Sequence, residues 1–148
     1  MYFVDRNLLE ERLSYLEELI QLFSENKEWK TNLEKLALER LCHMTIETTI
    51  DIGNQMIDGF IMRDPGSYND VIDILVDEKV ISKEDGNAFK HIITWRKALL
   101  QEYTEINHEA LYDSIFKDSA TLLSFPGKVR VYIENELGPV SAFLPQKD

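Results

Sequence analysis

The sequence predicts an all-α fold, a helical bundle of about five main helices, on the strength of three observations. Apolar residues recur at steps of three and four along most of the chain, which is the period of an amphipathic helix. No proline precedes Pro65 and glycine is sparse, so long helices are permitted early in the chain. β-branched residues occur only in short clusters within helical spacing, so no strand is predicted.

The first two predicted helices cover residues 5–25 and 29–61. Asp5 is a suitable N-cap for the first helix. Gly53 in the second helix predicts a close helix contact, because an interior glycine otherwise costs about 1 kcal/mol relative to alanine. The apolar seam of the first helix consists of Leu9, Leu13, Leu16, Ile20 and Phe23. The apolar stripe of the second consists of Leu33, Leu36, Leu41, Met44, Ile52 and Met56, interrupted by Thr45, Thr48 and Thr49. Its polar track consists of Glu39, Arg40, His43, Glu47 and Asp51.

Capping residues and helix breakers delimit the rest of the chain. The breaker cluster at residues 63–66 ends the second helix, and the pairs Ser67 with Asp70 and Ser82 with Asp85 resemble capping boxes. They open helices over residues 68–78 and 83 to about 102, and Asn107 caps a fifth helix over 108 to about 123. Residues 124–127, Ser-Phe-Pro-Gly, predict a kink or break before a short segment at 128–137. The tail from 139 to 148 is expected to be loose, and residues 1–148 form one domain.

Composition restricts the possible partners. The 27 acidic residues outnumber the 16 basic ones, which gives a formal net charge of -11 and opposes non-specific binding to a polyanion. Nucleic acid therefore has to be bound at a local basic patch. Cys42 is the only cysteine, so no internal disulfide forms and a reducing, cytoplasmic location is expected. No apolar run approaches the roughly 20 residues that span a bilayer, and no signal peptide is recognised, so no membrane association is expected.

Several common types of catalytic site are missing from the sequence. There is no glycine-rich phosphate loop and no Gly-x-Ser-x-Gly elbow. The three histidines, at positions 43, 91 and 108, lack the spacing of metal ligands, so neither a metal nor a cofactor is predicted.

The segment Arg96 to Tyr103, RKALLQEY, lies in the one clearly basic window, with Lys90, His91, Arg96 and Lys97. Arg96 and Tyr103 are seven residues apart, which places them on one helix face. Gln101 is about 140° away from Arg96 in a straight helix, so all three converge only with unwinding, a bend or a second subunit. An arginine fork, an amide and a phenol suit a phosphodiester. The alternative is a surface arginine on an ordinary helix.

The stretch DVIDILVDEKVISKEDGNAFKHIITWRKALLQEYTEINHEALYDSI resembles the HepT-like branch of the HEPN superfamily. The signature of that family is Arg, four to six residues, His, any residue and Tyr. Arg96 and Tyr103 match its ends, and residues 105–107 with Tyr112 match the usual continuation. The second helix, LALERLCHMTIETTIDIGNQMI, is also similar, and the resemblance extends to about residue 120.

The resemblance implies a small HEPN-like bundle that forms homodimers, in which two motifs meet as a metal-independent ribonuclease. It also implies a nucleotide-binding toxin of a toxin–antitoxin pair, whose partner is a minimal nucleotidyltransferase. That partner acts by binding the toxin or by adding AMP to the motif tyrosine. Carried over, the catalytic set is Arg96, Gln101 and Tyr103, with Arg96 stabilising the phosphate and Tyr103 as the modification candidate. Lys97 and His91 are binding candidates.

Gln101 departs from the family pattern, since it stands where the motif has histidine. A glutamine amide does not transfer protons near neutral pH, and loss of general acid–base help typically costs about 10²- to 10⁴-fold in rate. Gln101 can still donate a hydrogen bond to a phosphate oxygen. His43, His91 and His108 are candidates to replace the missing group. Three functions remain open: a ribonuclease toxin, active, weakened or inactive; a non-catalytic dimer that binds RNA, a nucleotide or a nucleotidyltransferase; and a structural protein.

Overall fold

A computed structural model describes residues 2–138, in which every regular element is a helix. Apart from one turn of 3-10 helix at Tyr103–Glu105, the described chain contains seven α-helices. They are α1 (Arg6–Glu25), α2 (Asn32–Gly59), α3 (Tyr68–Asp77), α4 (Lys83–Ile93), α5 (Trp95–Gln101), α6 (His108–Lys117) and α7 (Ser119–Leu137). The predicted all-α class is confirmed. The tail from 139 to 148 lies outside the described residues.

Helices α1 and α2 form an antiparallel pair at the centre of the core. The backbone N–H of Phe3 donates to the carbonyl of Gly59, and Gln55 donates to the carbonyl of Asp5, so the start of α1 lies beside the end of α2. The predicted α1 seam is confirmed, because all five of its apolar residues are buried. On its other side α1 meets α7, where Arg130 binds both Glu10 and Glu17.

The buried stripe of α2 begins later than predicted. Leu33 and Leu36 are 78% and 63% exposed, whereas Leu38 is fully buried. The prediction is wrong at these two leucines because α1 ends at Glu25, before it could cover them. Trp29 of the connecting loop, and not Leu33 or Leu36, packs on Phe23 at this end of the core. The threonines that interrupt the stripe are buried, and two of them pair their hydroxyls with the backbone. Those of Thr45 and Thr49 donate to backbone carbonyls one turn earlier, both at 2.8 Å.

Gly53 allows α3 to pack closely against α2, as its position predicts. A Cβ atom at residue 53 would lie 2.6 Å from Cγ1 of Val71. Real side chains do not approach so closely, so this contact requires glycine unless α3 shifts.

The caps follow the sequence closely. Asp5, Ser67, Ser82 and Asn107 each accept the expected backbone N–H. Of the two predicted pairs, only Ser82–Asp85 forms a complete capping box. The Asp70 carboxylate instead accepts the N–H of Gly66, at 2.8 Å.

Two predicted boundaries are wrong. The helix predicted at 83–102 is divided at Thr94, and the break predicted at 124–127 lies instead at Asp118. Helix α7 runs through Pro126, which is buried between Phe125 and Val129. An interior proline costs about 3 kcal/mol, and burial of these apolar side chains offsets that cost. No helix of the described chain is long and apolar enough to cross a membrane.

Candidate functional site

The basic segment lines a surface cleft between the start of α3 and helix α5. This motif cleft has a volume of about 370 Å³. Its walls contain Arg96, Lys97 and Gln101 from the predicted site. The other lining residues are Ser67, Tyr68, Asn69, Ile93, Thr94 and Leu100.

Arg96 and Gln101 reach the same cleft without unwinding and without a second subunit. Thr94, between α4 and α5, keeps helical backbone angles of φ -58° and ψ -26°. The side-chain positions of α5 therefore continue the helical periodicity of α4. Residues 93, 96, 97, 100 and 101 then form one broad face. Arg96 and Gln101 stand at its two edges, and Lys97 lies between them.

Tyr103 does not line the motif cleft. Helix α5 ends at Gln101, and Glu102 leaves the helical region with φ -111° and ψ 35°. The seven-residue spacing that placed Tyr103 on the face of Arg96 therefore does not apply. Tyr103 stands in the 3-10 turn with 62% of its surface exposed. Its hydroxyl has no hydrogen-bond partner among residues 2–138.

The Arg96 guanidinium is fixed by Glu47 and Tyr68, while its two terminal nitrogens stay unbound. Its Nε donates to Oε1 of Glu47 on α2 at 2.7 Å, and its guanidinium carbon lies 4.3 Å from the ring centre of Tyr68. Within the described residues, the two terminal nitrogens of Arg96 bind no acceptor. They are the pair that would grip two oxygens of a phosphate.

The lining of the motif cleft is cationic and rich in hydrogen-bond donors. Arg96 and Lys97 supply positive charge, and among residues 2–138 no carboxylate lines the cleft, although Glu47 pairs with the Nε of Arg96. In a protein of net charge -11 this is a local reversal of sign that suits an anion. The lining also contains no histidine and no carboxylic acid, which are the usual groups for proton transfer near neutral pH.

The three histidines lie elsewhere in the chain. Nδ1 of His91 is 3.2 Å from Oδ2 of Asp118, and His108 Nε2 is 2.7 Å from Oε2 of Glu39. His43 is half-buried on α2, and none of the three lines the motif cleft. The binding candidate His91 is thus committed to Asp118 within the chain. In residues 2–138, no group of three or more His, Cys, Asp or Glu side chains is arranged to hold a metal ion.

A second, larger cleft lies at residues for which the sequence predicted no site. It lies between the α1–α2 loop and α6 and has a volume of about 670 Å³. We call it the lysine cleft, since it contains the lysines at positions 27, 30 and 35. The signal was present in the sequence as three lysines and Trp29 within nine residues. The complete lining is Lys27, Glu28, Trp29, Lys30, Lys35, Ile106, Asn107, His108, Glu109 and Tyr112.

Comparison with known proteins identifies a family model that covers most of the chain. Residues 9–129 match the model described as "Ribonuclease HepT-like". The chain is also 48% identical over 143 residues to a protein of Bacillus subtilis (strain 168) named "Putative RNase YutE". That alignment covers 97% of this chain and 99% of the relative.

Two solved structures share the fold. The structure of YutE, a cytosolic protein of unknown function from Bacillus subtilis, superposes with a TM-score of 0.93 at 48% identity, covering 97% of this chain and 100% of that one. A crystal structure of a toxin–antitoxin with AMP-PNP superposes with a TM-score of 0.72 at 13% identity. It covers 82% of this chain and 96% of the other, and its likeness is one of fold.

Proposed function

The chain belongs to the HepT-like ribonuclease family, and from this premise we propose that it cleaves RNA slowly at the motif cleft, without a metal ion. The observation that carries the proposal is the cationic lining of that cleft in an otherwise acidic protein. We further propose that the protein is the toxin of a toxin–antitoxin pair.

The lining residues suggest how RNA is bound. The free terminal nitrogens of Arg96 hold two oxygens of one phosphate, and the Lys97 ammonium adds positive charge beside them. Gln101, at the opposite edge of the face, donates a hydrogen bond through its amide. As the 2′-oxygen attacks phosphorus, negative charge builds on the phosphate oxygens, and these donors stabilise it.

The same lining limits the rate. Attack by the 2′-hydroxyl requires removal of its proton, and departure of the leaving oxygen requires a proton to be supplied. Gln101 does neither, and no histidine lines the cleft to replace it. We therefore propose a turnover about 10²- to 10⁴-fold below that of a family member with the histidine.

A homodimer follows from the family resemblance and agrees with the shape of the site. The motif cleft is an open surface feature, and Leu100 in its lining is 40% exposed. A partner subunit would cover this apolar side chain and close the cleft, so that two motifs share one RNA strand. Light scattering at micromolar concentration should give twice the mass of the chain.

The partner proposed for the toxin role is a minimal nucleotidyltransferase. Tyr103 is the candidate residue for its action, because the phenol stands 62% exposed with no intramolecular partner among the described residues. In such a step the phenol oxygen would bond to the α-phosphorus of ATP, pyrophosphate would leave, and the phenolic proton would pass to a base. Mass spectrometry after incubation with the enzyme would locate the added AMP on Tyr103.

An RNA cleavage assay tests the proposed ribonuclease. We expect slow cleavage by the wild type, loss of it in Arg96→Ala, and a rise of at least tenfold in Gln101→His. Gln101→Asn is the matched control, since it keeps an amide and should show no rise. The proposal is overturned if the wild type and the Gln101→His variant both leave RNA intact.

A non-catalytic dimer that binds RNA, a nucleotide or the nucleotidyltransferase is the second candidate. The absence of histidines and carboxylic acids from the lining favours it. It predicts that the wild type binds single-stranded RNA, that Arg96→Ala weakens binding, and that no variant at residue 101 produces cleavage. Gln101→His therefore distinguishes the two candidates, because only the ribonuclease should gain cleavage activity from it.

A further inference from the structure

We propose that the lysine cleft is a second RNA-binding site, which takes a single-stranded segment of the strand held at the motif cleft. The inference rests on the proposed function, because it assumes that RNA is the ligand of this chain. Lysine side chains would bind the phosphates, and aromatic rings would stack on a base. The site is anchoring, and no step of the cleavage reaction is assigned to it.

The lysine cleft contains more lysines than carboxylates, since Glu28 and Glu109 line it beside the three lysines. Lys27 and Lys35 have no acidic partner among residues 2–138, and Lys30 meets only Glu28, at 3.7 Å between two well-exposed side chains. The neighbouring Glu34 is occupied in a capping box, where its carboxylate accepts the backbone N–H groups of Lys30 and Thr31. The unpaired ammonium groups of Lys27 and Lys35, with Lys30 in a loose exposed pair, therefore remain available to an anionic backbone.

A column of four aromatic rings reaches the cleft through two of its members, Trp29 and Tyr112. Trp29, buried Phe23, Tyr112 and Phe116 follow one another with centroid separations of 6.4, 5.1 and 5.8 Å, and every pair lies within 29° of parallel. The Trp29 Nε1 donates to the carbonyl of Asn26 at 3.0 Å, which fixes the orientation of the indole. Trp29 and Tyr112 both line the cleft, but Tyr112 already stacks on Phe23 and Phe116. Trp29 is the end ring of the column, so its indole is the surface on which a base can stack.

His108 adds a hydrogen-bonding group at the floor of the cleft. Its Nε2 is held by Glu39, and its Nδ1 has no partner among the described residues. The same oriented imidazole can serve a 2′-hydroxyl or a base edge of RNA. The arrangement of cations, stacked rings and one oriented polar group favours single-stranded RNA over an acidic protein, which has no use for the rings.

Helix α2 connects the two clefts. Glu39 holds His108 of the lysine cleft, and Glu47 holds Arg96 of the motif cleft. The two glutamates are eight residues apart on α2, a rise of about 12 Å along the helix and a rotation of about 80° around it. A few nucleotides of extended RNA span a rise of that size, and the proposal therefore has one strand occupy both clefts.

The charge test uses two triple variants that change net charge equally. Lys27, Lys30 and Lys35 are replaced by Gln in the first, and the exposed Lys79, Lys83 and Lys117 in the second. Binding of a fluorescein-labelled single-stranded RNA of about twelve nucleotides is measured by anisotropy at several salt concentrations. We expect the first variant to bind at least tenfold more weakly, with a salt slope reduced by about 2. Equal affinities of the two variants would overturn the proposal.

The stacking test uses the intrinsic fluorescence of Trp29. In a Trp95→Phe background Trp29 is the only tryptophan, and addition of the same RNA should quench its emission. Polyglutamate of matched charge is the competing probe. Quenching by RNA alone supports the site, whereas equal binding of polyglutamate through the same lysines would overturn it in favour of an acidic protein.

The tests of the lysine cleft can succeed or fail independently of the tests of the proposed ribonuclease. Arg96→Ala should abolish cleavage while RNA still quenches Trp29, and the triple variant at 27, 30 and 35 should still cleave RNA at high concentration. If the wild type never cleaves RNA but binds it through the three lysines, the ribonuclease fails and the binding site stands.

Discussion

Arg96 Nε donates to Glu47 Oε1 across 2.7 Å, which ties the motif helix α5 to the middle of α2. The two residues are 49 positions apart in sequence, and both side chains are about three-quarters buried. The contact orients the guanidinium and leaves its terminal nitrogens open. It also places a negative charge next to the proposed phosphate site, so Glu47 has two opposing effects on RNA binding.

Substitution at Glu47 should separate those effects. Glu47→Ala removes the acceptor of the Arg96 Nε. We expect RNA affinity to fall about 3- to 10-fold because the guanidinium is no longer held in position. Glu47→Gln keeps an oxygen that accepts from Nε but removes the negative charge, so its affinity should equal or exceed that of the wild type. Anisotropy titrations measure both variants. Equal affinities for Glu47→Ala and Glu47→Gln would contradict a positioning role.

The pH dependence of Gln101→His should report the restored proton-transfer group. A histidine side chain ordinarily titrates near pH 6.5, so the cleavage rate of this variant should show an inflection near that value. Single-turnover rates between about pH 5 and 9 provide the measurement. Gln101→Asn serves as the control and should show no such inflection. A flat profile for the histidine variant would argue against direct proton transfer at residue 101.

Local signals in the sequence predicted much of the fold. The seam of α1 and the caps at Asp5, Ser82 and Asn107 depend on residues within one or two helical turns, and all are confirmed. The basic segment at residues 96–101 was also evident, because charge sign is visible without a structure. Each of these features is caused by residues that are close to one another in the sequence.

The features that the sequence did not predict depend on distant contacts. Pro126 continues inside α7 because its surroundings bury it, and Leu33 stays exposed because α1 ends before reaching it. The lysine cleft requires α6 to pack beside the α1–α2 loop, and Glu47 is selected as the partner of Arg96 only by the packing of α5 on α2. Helical periodicity contains none of this information.

Two glycines in helix interiors should respond oppositely to alanine. At Gly53 the added Cβ would lie 2.6 Å from Val71 Cγ1, and a stiff β-branched side chain yields little, so we expect a net loss of about 1–3 kcal/mol. At Gly127 nothing lies within 4 Å, and alanine should stabilise α7 by about 0.5–1 kcal/mol. Urea unfolding monitored by circular dichroism compares them. Destabilisation by Gly127→Ala, or none by Gly53→Ala, would contradict the packing described.

A partly buried ion pair between α4 and α7, in which Asp85 is the buried member, provides a pH-dependent contribution to stability. Asp85 is 8% exposed, binds Lys128, and accepts the backbone N–H of Ser82 at 3.2 Å. Burial alone raises the pKa of Asp85, but the hydrogen bonds from Lys128 and Ser82 outweigh it, so the net pKa lies below the ordinary value of 3.8. A carboxyl group whose pKa is lowered in the folded state stabilises that state above its unfolded pKa. The contribution disappears as the pH falls through the folded pKa.

Asp85→Asn should therefore be destabilising in a pH-dependent way. Near pH 7 we expect a loss of about 1–3 kcal/mol in the free energy of unfolding, because Lys128 loses its charged acceptor. The difference from the wild type should stay constant down to about pH 5 and shrink below about pH 4, where Asp85 of the unfolded wild type takes up a proton before the folded state does. Asp113→Asn, at an exposed position of α6, makes the same change in net charge and should alter stability by less than about 0.5 kcal/mol. Urea titrations across this pH range measure all three proteins, and a difference that persists unchanged at pH 3 would show that shape, not charge, makes Asp85 stabilising.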